Sequence, residues 1–129
     1  MGPVSRTVLT LRFYGDDLDP AELTKSLGGE PTTTEIKGEL GWRSRISASG
    51  SWRLSVEPRE PGDLDGQIRA LFALLTDDLA VWAGLSARYR GDLFCGLFME
   101  DTNEGLELEP GTLAMIGNRG LRLGFDIYG

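Results

Sequence analysis

Histidine is absent from the 129 residues and cysteine occurs once. Those shortages exclude His-dependent catalytic triads, imidazole metal sites, zinc Cys/His clusters and any intrachain disulfide. No apolar run approaches the ~18 residues that a membrane-spanning helix needs, and no charged segment followed by an apolar one opens the chain as a secretory leader would. A cytoplasmic protein without membrane partners is expected. Cations are outnumbered: thirteen Lys and Arg against twenty Asp and Glu give a formal charge of -7, a field that repels phosphate backbones and disfavours nucleic acid. The glycines form no Walker loop and no G-x-G-x-x-G after a strand, so nucleotide cradling has no support.

The remaining composition, 40% hydrophobic and 26% charged, suffices for one buried core, and residues 1–129 read as a single domain. Leu9, Leu11 and Phe13 alternate with Thr10, Arg12 and Tyr14, the period of a half-buried strand over 4–14. A helix start follows: Asp19 as N-cap, Pro20 at the first turn, Glu22 placed to reach back to the cap, Leu18 and Leu23 as a hydrophobic staple, and Gly28 as the left-handed exit. Residues 29–40 read as a loop with a short extended piece. Trp42 to Ala48 and Trp52 to Val56 then alternate on either side of Gly50-Ser51 and predict a β-hairpin.

Ile68, Leu71, Phe72 and Leu75 repeat at helical spacing, and Leu79, Trp82 and Leu85 continue it past Thr76 to Asp78. One long helix and two short ones both fit. Leu93 to Met99 carries bulk on both faces and predicts an interior strand. A turn at 101–105, a short helix over Pro110 to Ile116 and a final strand over 121–128 complete the order. It is α+β: a mainly antiparallel sheet with helices on one face, a ferredoxin-like split βαβ plait with an appended helix and strand. Trp42, Trp52, Phe72, Trp82 and Phe125 are the expected core aromatics.

Leu11-Arg12-Phe13-Tyr14-Gly15-Asp16-Asp17-Leu18-Asp19-Pro20, then Leu27-Gly28, Pro31, Lys37-Gly38, Trp52 and the closing Phe125-Asp126-Ile127-Tyr128, resemble the bacterial family called domain of unknown function 4279. The resemblance spans nearly the whole chain and brings no catalytic motif. It implies an association with toxin neutralisation through genomic setting alone.

Chemistry-bearing residues mostly have structural explanations. Asp16, Asp17 and Asp19 sit at a helix start, while Asp77 and Asp78 and the acidic stretch from Glu100 to Glu109 look like solvated turns. Asp101, Asn103 and Gly105 begin like a calcium loop, but Leu106 and Thr112 stand where its Gly and bidentate Glu belong. Arg90-Gly91 with Phe94 faintly resembles an RNA-binding strand, and Asp92 and Leu97 break the stacking pattern. Cys95 lies in the most apolar strand, as a small hydrophobe would.

Strand parity supplies the one remaining constellation. If Leu9, Leu11, Phe13, Trp52, Leu54, Val56, Leu123, Phe125 and Ile127 face the helices, then Arg12, Tyr14, Arg43, Arg45, Arg53, Arg122 and Tyr128 share the opposite face. Guanidinium groups beside tyrosine rings suit carboxylates, phosphates and planar ligands, although an exposed sheet face also needs long solubilising side chains. The leading expectation is a non-enzymatic, intracellular protein-interaction domain with an unidentified protein partner, an immunity protein being one concrete form. The alternative is a sensor or carrier that binds a small anionic ligand on the arginine-bearing face. Neither needs a cofactor or metal, and the sequence leaves monomer and dimer open.

A fold that needs neither metal nor disulfide should melt at the same temperature with chelator, with reductant and without either. A fall of several degrees with either reagent would reveal a stabilising site.

Overall fold

In the computed structural model, residues 2–40 and 45–129 are described. In chain order the elements are β1 (Gly2–Pro3), β2 (Arg6–Gly15), α1 (Pro20–Leu27), β3 (Thr33–Glu35), β4 (Gly50–Ser55), α2 (Leu64–Ala73), α3 (Leu79–Arg88), β5 (Arg90–Phe98), β6 (Glu104–Gly105), α4 (Pro110–Asn118) and β7 (Arg122–Tyr128). The main sheet has five strands in the order β3-β4-β2-β5-β7. Its first three pairings are antiparallel, and β5 with β7 is parallel. The fold is α+β.

Central β2 sets the two faces. Thr7, Leu9, Leu11 and Phe13 are buried, while the residues between them are partly exposed, so the alternation read in the sequence is the alternation of burial. Across the sheet Phe13 stands opposite Trp52 on one side and Gly91 on the other. A Cβ on Gly91 would come within 2.7 Å of the Phe13 ring and 2.8 Å of Leu121, so only glycine lets that ring lie over β5. Phe13, Trp52, Trp82 and Phe72 then form a chain of ring contacts between sheet and helices.

Local chemistry explains the helices. Asp19 caps α1, its Oδ1 accepting from the Ala21 N–H at 3.1 Å, Leu18 and Leu23 are both buried, and Gly28 exits with φ 76°. The Glu22 carboxylate does not turn back to the cap; it pairs with Arg88 at the end of α3, tying the two helices together. The long apolar repeat resolves into two helices. Asp78 caps the second, and the backbone between them is held where Thr76 N donates to Leu27 O at 2.7 Å and Trp82 Nε1 donates to Thr76 O at 2.8 Å.

Further expectations are corrected. Residues 45–48 form no strand against β4; Ile46 bridges Leu40 instead, and backbone bonds join Gly38 and Glu39 to Ser47, so 38–40 and 46–47 lie side by side. The outer partner of β4 is the short extended piece β3. Phe125 is not core: it is 44% exposed, because β7 is the sheet's edge and α4 covers only the start of it. A small parallel ladder, β1 with β6, stands apart from the main sheet. Trp42 lies outside the described residues.

One buried polar group pins β2 to α2. Gln67 is fully buried; its Oε1 accepts from Thr7 Oγ1 at 2.6 Å, and its Nε2 donates to the carbonyls of Thr7 and Glu57 at 3.0 and 2.9 Å. Replacing it with a similar-sized apolar side chain, Gln67→Met, removes the partner of the Glu57 carbonyl and the acceptor for the Thr7 hydroxyl proton, leaving Thr7 Oγ1 only the Asp63 N–H that it accepts. The variant should lose about 1–3 kcal/mol in urea unfolding, the cost of buried polar groups without partners. A loss no greater than that of a surface substitution would show that the network contributes nothing net.

Candidate functional site

Even-numbered residues of β2 and β5 and odd-numbered residues of β4 point away from the helices. Register therefore lines up Arg53, Arg12, Asp92 and Arg122 across four strands. Arg12 would sit between two like charges were it not for Asp92. The two side chains form a bidentate pair, Nε to Oδ1 at 2.8 Å and Nη2 to Oδ2 at 2.9 Å, and the pair is largely shielded from water. The Asp92 hydrogen bond also holds the Arg12 pKa above its ordinary value, against the cost of burial. The guanidinium lies 4.4 Å from the Phe94 ring centroid and 5.5 Å from that of Tyr14. Arg12 is a fixed, neutralised part of the face.

Arg53 is different. Its guanidinium also lies 5.5 Å from the Tyr14 ring centroid and donates from Nη2 to the Tyr14 hydroxyl at 3.2 Å. Among the described residues it makes no ion pair, and its Nε is buried without a hydrogen-bond partner. Beside it a groove of about 840 Å³ opens between the outer strands and the segment over 45–48, lined by Thr33, Glu35, Arg45, Ser47, Ser51 and Arg53 among others. Two arginines and one carboxylate leave that lining net cationic in an acidic chain.

The predicted site residues are thus divided. Arg12, Tyr14 and Arg53 come together. Arg122 shares their face by register beside Asp92, and Tyr128 shares it at the far end, stacked on Phe98 with ring centroids 4.8 Å apart. The Tyr128 hydroxyl donates to Asp126 at 3.1 Å, and that bond is the first cause of its raised pKa. Arg45 is corrected: it belongs to no strand of the sheet and reaches the site from the exposed segment that walls the groove. Arg43 lies outside the described residues. Sequence reasoning missed Asp92 and Phe94 as site members, although a carboxylate at an outward position of an otherwise apolar interior strand signals a cationic neighbour.

The acidic clusters have structural work. Asp19 and Asp78 cap helices, Asp16 pairs with Lys37, and Glu104 accepts from Ser5 Oγ at 2.7 Å and from the Glu100 N–H at 3.0 Å. Those contacts, the Ser5 hydroxyl first, hold the Glu104 pKa below its usual value. Among the described residues no three metal-ligating side chains converge, and no helix is long and apolar enough to cross a membrane.

An α+β domain with its helices on one side and an arginine- and aromatic-rich sheet face on the other is the class that fold and site define. A family model, domain of unknown function 4279, matches residues 5–129, and the chain belongs to that family. Comparison with curated proteins and with solved structures finds no match.

Cys95 is fully buried, and burial first, with the nearby Asp92 charge second, pushes its thiol up to about 12. At neutral pH it stays protonated. Iodoacetamide should therefore modify it only as fast as the protein unfolds; rapid labelling of the native protein would mean that the thiol is reachable and active.

Proposed function

We infer that this chain is a non-enzymatic cytoplasmic binding domain, and that its groove takes a small ligand bearing a carboxylate or phosphate. The observation that carries this reading is Arg53: a guanidinium fixed against Tyr14, with its Nε buried and without a partner among the described residues, at the wall of a net-cationic groove of about 840 Å³. A guanidinium held against a ring in this way is preorganised to offer its remaining Nη donors to an anion, and the groove is of the size that small-molecule sites use. Arg45, in the exposed segment 45–48 that lines the groove, supplies a second cation. Threonine and serine hydroxyls at Thr33, Ser47 and Ser51 can satisfy remaining acceptors.

A second reading keeps the same face and changes the occupant to a protein, a toxin to be neutralised being the concrete case. It is favoured by the aromatic and arginine residues that extend beyond the groove, Tyr14, Phe94, Phe98 and Tyr128 with Arg12 and Arg122. Those residue types dominate the energetics of protein interfaces.

Inorganic phosphate, citrate and a hexaglutamate peptide serve as probes in thermal-shift and calorimetric titrations at low salt. At least one should raise the melting temperature of the wild type, and Arg45→Ala/Arg53→Ala should bind it more than ~10-fold more weakly while remaining folded. Salt should weaken the same interaction. Equal binding by the double variant would remove the groove from the mechanism; a response to the peptide alone would favour the protein-binding reading.

A further inference from the structure

Strand β7 is a free edge of unusual openness. It pairs with β5 in unbroken register from Arg122 to Tyr128, and its other side meets no described strand. Natural edges are usually kept from pairing by proline, lysine, a bulge or very short length. The opposite edge, β3, is only three residues long. β7 has seven residues, no proline, no lysine and no break in its ladder, and Phe125 and Ile127 are 44% and 64% exposed on it.

The backbone direction is readable. The Tyr128 carbonyl accepts from Met99 N–H at 2.8 Å, so even-numbered residues turn their peptide groups toward β5. Leu123, Phe125 and Ile127 accordingly turn theirs outward. We propose that this edge pairs antiparallel with the same edge of a second copy of the chain, about a two-fold axis at Gly124, joining two five-stranded sheets into one.

Charge complementarity selects the occupant and the register. With the axis at Gly124, Arg122 of each copy stands opposite Asp126 of the other, giving two ion pairs on the open face. These are positions without direct hydrogen bonds, where facing side chains approach most closely. On the helix side Leu123 meets Phe125 of the second copy, which covers apolar surface of the edge, while Ile127 falls opposite Leu121, a buried core residue just before the strand. The outward peptide groups of Leu123 and Phe125 fall at the hydrogen-bonded positions. The Gly124 backbones meet at the axis, where a Cβ on this chain would touch nothing within 4 Å. One strand is self-complementary in charge, apolar packing and hydrogen bonding, as a two-fold interface requires.

Sedimentation velocity over a concentration series reaching about 200 μM should show a dimer. Arg122→Asp alone and Asp126→Arg alone each place like charges opposite each other and should weaken it at least ~10-fold, whereas the double exchange Arg122→Asp/Asp126→Arg should restore it. Gly124→Cys should cross-link the dimer under mild oxidation, because facing Cα atoms at such a pair lie about 4.5 Å apart, within disulfide reach. Cys95, the other thiol, is buried and does not compete. Circular dichroism of each variant confirms the fold. A wild type that stays monomeric, single exchanges that dimerise normally, or cross-linking by Phe125→Cys in place of Gly124→Cys would each overturn the pairing at this register. None of these readouts involves the groove.

Discussion

Everything in this domain depends on the two-residue alternation of β2, held between β4 and β5 at the centre of the sheet. A strand with neighbours on both sides cannot slip by one residue without exchanging its faces, which would expose Leu9, Leu11 and Phe13 and bury Arg12. That penalty fixes the register, and the register fixes which residues meet. Phe13 lies over Gly91 and reaches the tryptophans of β4 and α3; Arg12 meets Asp92 on the other side. Core and open face are two consequences of one pairing.

The two arginines of adjacent strands show how the same residue type acquires different roles. Arg12 is neutralised by a bidentate carboxylate and sandwiched by aromatic rings, so it stiffens the face and cancels a like-charge contact that would oppose sheet formation. Arg53, one strand further out, has no such carboxylate among the described residues and keeps capacity for an external acceptor. Buried Arg119 is a third case: it stacks on Phe72 and Trp82, and loss of hydration lowers its pKa. Its cation closes the far end of the aromatic chain instead of meeting solvent.

The two edges of the sheet are treated differently. β3 is short, and residues 45–48 wall the groove beside it, so that edge borders a concave surface. β7 lies beyond the main cover of α4 and presents apolar side chains and outward peptide groups together. The formal charge of -7 opposes indiscriminate association at such an edge.

Periodicity and caps were determined by the sequence alone, because they depend on residues within a turn or two of one another. The alternation of β2, the Asp19 cap with its Leu18–Leu23 staple and the Gly28 exit all read directly, as did the side of the sheet on which Arg12, Tyr14, Arg53, Arg122 and Tyr128 lie. Long-range choices did not. Whether β4 would pair with 45–48 or with 33–35 depends on how the chain leaving α1 returns along the sheet, where Thr32 N–H donates to the Arg53 carbonyl at 2.7 Å and Thr34 lies opposite Trp52. No local signal contains that comparison. Likewise Phe125 has the same alternating neighbours in sequence as Phe13, yet one is fully buried and the other exposed, because burial depends on whether helices reach the strand. Only the tertiary structure decides that β2 is central and β7 an edge.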